Sequence, residues 1–155
     1  MSNTDKLIEK LQYDLSRKTY SFIEYVTHAS PYIAEPYEPL WALLLELRAE
    51  ERKHARMLSA LIVRLGGIPT PTLFDESAAD LNYLRIEYLT ELIIRHKENS
   101  VAEFEQRIED ASGFPEARAV LLEILEAEKR QVARLRDTLN ECMQKAAVLK
   151  QLPSA

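Results

Sequence analysis

The apolar residues of this chain recur every three or four positions through four long segments, which is the period of an amphipathic α-helix. Helix breakers separate these segments. A cluster of prolines follows the first, Gly66-Gly67 ends the second, and Gly113 with Pro115 divides the third from the fourth. The pattern predicts helices A to D over residues 4–29, 38–65, 78–111 and 115–148.

The lengths of the connections predict how these helices are arranged. The links from A to B and from C to D are short, so each pair forms an antiparallel hairpin. The link from B to C, residues 66–79, is the longest and can run the length of a helix bundle. We therefore expect an all-α fold, an antiparallel four-helix bundle with a long crossover between helices B and C.

Composition narrows the function classes. With 155 residues and 46% hydrophobic residues, the chain is long enough for one well-buried core, and we expect a single domain over residues 1–155. No apolar run could serve as a signal peptide or span a membrane, and Cys142 is the only cysteine, so a cytoplasmic protein is expected. The net charge of -5 and the mixing of both signs make nucleic acid an unexpected partner.

Two short motifs carry the candidate chemistry: Glu51-Arg-Lys-His54 in helix B and Glu128-Lys-Arg-Gln131 in helix D. Polar residues three positions apart project from the same face of a helix. On a helical wheel, both motifs fall on the apolar stripe of their helix and therefore point inward. Two such turns that face each other in a bundle are how a paired metal site is built.

With these motifs and this helix layout, the chain resembles the ferritin-like superfamily, specifically a rubrerythrin-like branch without a rubredoxin domain. The resemblance implies a second Glu-xx-His in helix D, where this chain has Gln131, and one carboxylate ligand from each of helices A and C. It also implies iron or manganese as the bound metal and a homodimer or larger homo-oligomer as the assembly. The aromatic residues Tyr32 and Tyr37, expected at the surface, give slight support to an interface.

Helices A and C, however, place lysines where the resemblance implies carboxylates. The inward polar positions are Lys18 and Lys97, whereas Glu24 lies about 160° from the stripe of helix A, and Glu98 about 100° from that of helix C. Lys18 and Lys97 are each followed seven residues later by an aromatic residue, as the implied ligands often are in rubrerythrin-like proteins. The sequence thus predicts that lysine has replaced both carboxylates.

These substitutions change the expected function. Two lysines and two glutamates balance in charge without metal, and an ammonium group cannot ligate a cation while it is protonated. We expect a degenerate di-metal site, no bound cofactor, and a non-catalytic structural or interaction role. The expected buried polar network consists of Lys18, Glu51, His54, Lys97, Glu128 and Gln131.

Three alternatives remain open. The lysines could extend their amines to water along the helix surface. Glu51, His54 and Glu128 could retain a single ion such as zinc. With iron or manganese these three residues, with or without Glu24 or Glu98, could instead support a metal-dependent oxidoreductase or ferroxidase-like activity. The sequence also leaves open a small organic ligand between the helices.

Overall fold

A computed structural model shows an antiparallel four-helix bundle, as the hydrophobic pattern predicted. The structure describes residues 1–29, 31–73 and 84–153, and within these ranges it contains no β-strand. Its elements are α1 (Asn3–Thr19), α2 (Phe22–His28), a 3₁₀ turn (Glu35–Tyr37), α3 (Glu38–Arg64), α4 (Ile86–Asp110) and α5 (Pro115–Lys150). Helices α1 and α2 together form the first member of the bundle, and the long connection lies between α3 and α4.

The first predicted helix is not continuous over residues 4–29. Helix α1 ends at Thr19, and α2 begins at Phe22 after an N-cap at Ser21. The Ser21 hydroxyl accepts a hydrogen bond from the backbone N–H of Glu24 at 3.4 Å. A serine side chain in this position satisfies a free N–H group of a new helix, so it favours a restart over continuation.

The third predicted helix begins later than expected. Its predicted start at residue 78 lies outside the described residues, and the helix observed in the structure starts at Ile86. Just before it, the backbone of Tyr32 accepts a hydrogen bond from Ile86 N–H and donates one to Leu84. This isolated bridge pairs the segment after α2 with the residues that precede α4, which holds them in an extended conformation.

The core consists of two apolar clusters with a polar layer between them. One cluster contains Leu44 and Leu135, and the other contains Leu58 and Leu121. Along both α3 and α5, the residues between these leucines include buried charged and polar side chains. The bundle therefore carries its candidate site near the middle of its length, with apolar packing on both sides.

Two further features bear on the sequence predictions. Tyr37, expected at the surface, is instead buried in the core, because the 3₁₀ turn directs it against the bundle, whereas Tyr32 is exposed. Among the described residues, no helix is both long and apolar enough to cross a membrane.

Candidate functional site

The two sequence motifs meet in the interior of the bundle. Glu51 and His54 lie on adjacent turns of α3, Glu128 and Gln131 lie on adjacent turns of α5, and all four side chains are buried. Ligand atoms of Glu51, His54 and Glu128 all lie within 4.8 Å of one another. The spacing of three residues thus places each polar pair on one inward face, as helix geometry requires.

Lys18 and Lys97 lie among these carboxylates. Lys18 comes from the last turn of α1 and Lys97 from the middle of α4. The Nζ atom of Lys18 is 3.0 Å from Glu51 Oε1 and also donates to Glu128 Oε1. The Nζ atom of Lys97 is 2.9 Å from Glu128 Oε1 and also donates to Glu51 Oε1. Each ammonium group therefore contacts both carboxylates, and each carboxylate accepts from both lysines.

These amines do not reach bulk water. The side chains of Lys18 and Lys97 are only 4% and 7% exposed, and those of Glu51 and Glu128 are 2% and 0% exposed. The structure therefore contradicts the alternative in which the lysines extend their amines to water along the helix surface. The four side chains, which we call the Lys–Glu cluster, form a closed arrangement of alternating charges.

Electrostatics keeps Lys18 and Glu128 of the Lys–Glu cluster ionised. Burial alone lowers the pKa of Lys18, but the nearby charges of Glu128 and Glu51 outweigh it, and the net pKa lies above its ordinary value. Burial alone raises the pKa of Glu128, and here Lys18 and Lys97 outweigh it, so that this pKa lies well below its usual range. Opposite charges at hydrogen-bond distance stabilise the charged form of both partners.

The neighbouring His54 behaves differently. Burial, followed by the charge of Lys18, lowers the pKa of His54 to about 3, so the imidazole is neutral at physiological pH. Its Nδ1 atom is buried, and so are Glu128 Oε2 and Gln131 Oε1; none of the three has a hydrogen-bond partner among the described residues. A buried polar atom without a partner costs roughly 1–3 kcal/mol. The polar layer therefore retains unused hydrogen-bonding capacity beside the Lys–Glu cluster.

The two acidic residues weighed as alternative ligands lie outside this cluster. Glu24 pairs with Arg52 of α3, with N–O distances of 2.7 and 3.1 Å, and its side chain is 15% exposed. Glu98 pairs with Arg136 at 2.6 Å and is 48% exposed. Both carboxylates are held by arginines, and neither takes part in the hydrogen bonds of the Lys–Glu cluster.

A cavity of about 60 Å³ reaches the Lys–Glu cluster from the side of α1, α2 and α4. Its lining includes residues that the sequence reasoning did not single out, among them Arg17, Ser21 and Ser100. His96 also lines it, with its ring stacked on Phe22 at a centroid distance of 4.5 Å. The interruption between α1 and α2 borders this cavity, so the capping signal at Ser21 could have pointed to it.

The donor chemistry fits a pair of divalent cations poorly. Such a site uses several carboxylates to neutralise two ions, whereas here two ammonium groups already neutralise the two carboxylates. An incoming cation would also meet two positive charges at close range. The residues best suited to a single ion are Glu51, His54 and Glu128. Of these, His54 and Glu128 each have a buried atom without a hydrogen-bond partner in the described part of the chain.

This chain is similar to a known protein family and to several solved structures. A family model described as the ferritin-like domain matches residues 8–144. A ferritin-like diiron-carboxylate protein from Bacillus anthracis str. Ames is 22% identical, with a TM-score of 0.72 over 90% of this chain and 99% of its own. A protein from Xanthomonas campestris pv. campestris is 14% identical, with a TM-score of 0.75 over 98% of this chain and 100% of its own.

The bacterioferritin of Desulfovibrio desulfuricans, solved with its diiron site in different catalytic states, is also similar in structure. It is 15% identical, with a TM-score of 0.76 over 92% of this chain and 82% of its own. No curated protein matches the chain. At these identities the solved structures establish a shared fold.

Proposed function

We propose that this chain, which belongs to the ferritin-like domain family, is a member in which a metal-free Lys–Glu cluster has replaced the di-metal site. In this proposal it lies nearest the rubrerythrin-like branch and folds as one domain over residues 1–155. It has a non-catalytic, structural or interaction role and acts as a homodimer or larger homo-oligomer.

One observation carries the proposal: each of the two buried lysines contacts both buried glutamates. Two positive and two negative charges compensate one another at distances where compensation is strong. The bundle core therefore needs no cation to neutralise Glu51 and Glu128. The lysines also occupy the Oε1 atoms of both carboxylates, which a pair of ions would need as ligands.

A metal count tests the proposal directly. The protein is produced in cells supplemented with iron and manganese, purified without chelator, and its metal content per chain is measured by elemental analysis. We expect far less than one ion per chain and no oxidation of added ferrous iron. Stoichiometric iron or manganese together with ferrous oxidase activity would overturn the proposal.

The second candidate function is a metal-dependent oxidoreductase or ferroxidase-like protein of the rubrerythrin type. The unpartnered Nδ1 of His54 and Oε2 of Glu128, close to Glu51, favour it. These three residues would hold one iron, manganese or zinc ion, provided that the lysines moved away from the carboxylates. Anaerobic titration of the apoprotein with ferrous iron by calorimetry distinguishes the two functions, because one-site binding that His54→Gln abolishes would support the second.

The proposed assembly needs its own measurement. Tyr32 and Tyr88 are large exposed side chains, 55% and 48% accessible, as expected for residues available to an interface. Sedimentation velocity over a range of protein concentrations should give a mass of at least two chains. A single species with the mass of one chain at all concentrations would remove the oligomer from the proposal.

A further inference from the structure

The cavity beside the Lys–Glu cluster has a charged floor and apolar walls. Lys18, Lys97, Glu51 and Glu128 form the buried floor, and Phe22 and Ile93 contribute apolar wall surface. Its volume of about 60 Å³ corresponds to roughly two water molecules at about 30 Å³ each. The space is therefore suited to a molecule of a few heavy atoms.

The floor has hydrogen-bond donors left over. A lysine ammonium group carries three N–H donors. In the described part of the chain, Lys18 and Lys97 each use two of them, one for Glu51 and one for Glu128. Neither ammonium group has a third hydrogen-bond acceptor there, although Lys18 Nζ also lies 5.4 Å from the centroid of the Phe104 ring, and both lysines line the cavity. Because the two ammonium groups share the same two acceptor oxygens, they lie close enough for one ligand to reach both.

The charge balance of the cavity favours an anion. Within the floor, the two lysines and two glutamates cancel. Arg17 adds a positive charge to the lining, and Glu103 lies 3.9 Å from its Nη1 atom in a long, half-buried ion pair. A ligand with a single negative charge would thus complement the lining and accept the spare N–H donors.

The shape of a carboxylate meets these requirements. Its two oxygens can each accept a hydrogen bond from one ammonium group, and charge-assisted bonds of this kind are stronger than neutral ones. A short apolar tail would lie against Phe22 and Ile93. We infer that this cavity is a binding site for a small monocarboxylate anion of the size of formate or acetate, held by Lys18 and Lys97.

This inference rests on the metal-free Lys–Glu cluster of the proposed function. The binding is non-covalent, because each ammonium group is held between the two carboxylates and offers the anion only a hydrogen-bond donor. A protonated amine is a donor to an anion and is not a nucleophile. The site thus uses the lysines for recognition alone.

The test is titration of the full chain with sodium acetate and sodium formate at constant ionic strength, followed by amide chemical shifts in nuclear magnetic resonance spectra. We expect saturable shifts at one site, centred on residues 17–25 and 93–100, and none for neutral acetamide. Shifts that fail to saturate, or that spread over exposed surfaces, would overturn the inference. Equal binding of acetamide would do the same, since it lacks the charge.

Two matched variants locate the site. Ser100 lines the cavity and is half-buried in α4, whereas Ser59 is half-buried in α3 and does not line it. Ser100→Leu should fill the cavity and weaken acetate binding by about tenfold or more, while Ser59→Leu should leave it unchanged. Equal binding by Ser100→Leu and the native protein would refute the site. Should Ser100→Leu fail to fold, the pattern of shifts in the native protein decides the question.

The metal count separates this inference from the proposed function. A protein that is purified without metal and binds no acetate refutes only the anion site. A protein that carries stoichiometric iron or manganese refutes the proposed function, whatever its response to acetate.

Discussion

The sharpest prediction concerns Lys97→Met, which removes one of the two buried ammonium groups. Methionine has a similar length and an apolar side chain, so the packing against α3 and α5 changes little. The charges change more, because Glu51 and Glu128 then share Lys18 alone and the buried cluster carries one uncompensated negative charge. Breaking a buried ion pair in this way typically costs 3–5 kcal/mol of folding free energy.

The structure allows an upper limit for the electrostatic part of this cost. Rather than bury an unpaired carboxylate, the variant can protonate one glutamate. For a glutamate with the ordinary pKa of 4.5, protonation of the carboxylate costs about 3.4 kcal/mol at pH 7 and about 0.7 kcal/mol at pH 5. We therefore expect Lys97→Met to lower the free energy of unfolding by about 3 kcal/mol at pH 7 and by about 0.7 kcal/mol at pH 5.

The sign of this pH dependence follows from linkage. In the native protein, the pKa of Glu128 is lowered, so its contribution to stability is complete above pH 4.5 and is lost only as the pH falls towards the lower folded value. In the variant, a carboxyl pKa is raised, so the destabilisation is largest at high pH and diminishes on acidification. The difference between the two proteins must therefore shrink from pH 7 to pH 5.

Urea unfolding followed by circular dichroism at both pH values measures this difference. Lys129→Met is the matched control, since Lys129 is exposed on α5 next to Glu128, and a surface change of this kind is worth about 0.5 kcal/mol or less. A loss of under about 1 kcal/mol at pH 7, or a loss of equal size at both pH values, would refute the mutual compensation of charge in the Lys–Glu cluster.

Two further predictions address the chemistry of the polar layer. A triple variant should take up a pair of iron or manganese ions per chain, because it has the carboxylates and the imidazole that the family resemblance implies; its substitutions are Lys18→Glu, Lys97→Glu and Gln131→His. Elemental analysis that finds no bound metal in this variant would contradict the prediction. The pKa of His54 is lowered to about 3 in the folded chain. As the pH falls below about 6.5, this imidazole therefore binds a proton in the unfolded chain and stays neutral in the folded one. The free energy of unfolding should therefore decline from pH 6.5 to pH 4 by up to about 1.4 kcal/mol per pH unit. In urea unfolding, His54→Gln should flatten this decline. The control His28→Gln, at an exposed residue, should leave it unchanged.

The helix layout and the inward register could be predicted because both follow from the same apolar stripe. A stripe that recurs every three or four residues fixes which face of a helix is buried, and a polar residue within it must be buried too. Lys97 lies in such a position of α4, and the structure buries it. The ferritin-like fold followed from the length of the connections and is confirmed.

The break in the first helix escaped prediction because the apolar period continues across it. Leu15 and Val26 keep the same stripe although the chain leaves the helix between Thr19 and Phe22. Ser21, followed three residues later by Glu24, is a helix-start signal that local reading could have used. A wheel drawn through a continuous helix placed Glu24 far from the core, whereas the restarted helix leaves it half-buried against Arg52.

Other parts of the site could not be read from a single helix. The cavity exists because α1 and α2 do not join smoothly beside α4, and its size depends on how side chains from several elements pack. The unpartnered atoms of His54 and Gln131 likewise depend on what the neighbouring helices bring near them. Tyr37 was misplaced for the same reason, since a short turn against the bundle determines its burial.

The presence of both lysines follows from charge balance in the buried layer. A set of four carboxylates carries four negative charges, and each exchange of a carboxylate for lysine removes one negative charge and adds one positive charge. One exchange leaves two net negative charges, which still require a divalent cation, and only the second makes the layer neutral without metal. Because each lysine contacts both Glu51 and Glu128, the loss of either one leaves both carboxylates under-compensated. Lys18 and Lys97 therefore act as one unit, and a Lys→Glu substitution at one of the two positions alone should destabilise the bundle unless a cation or a proton enters with it.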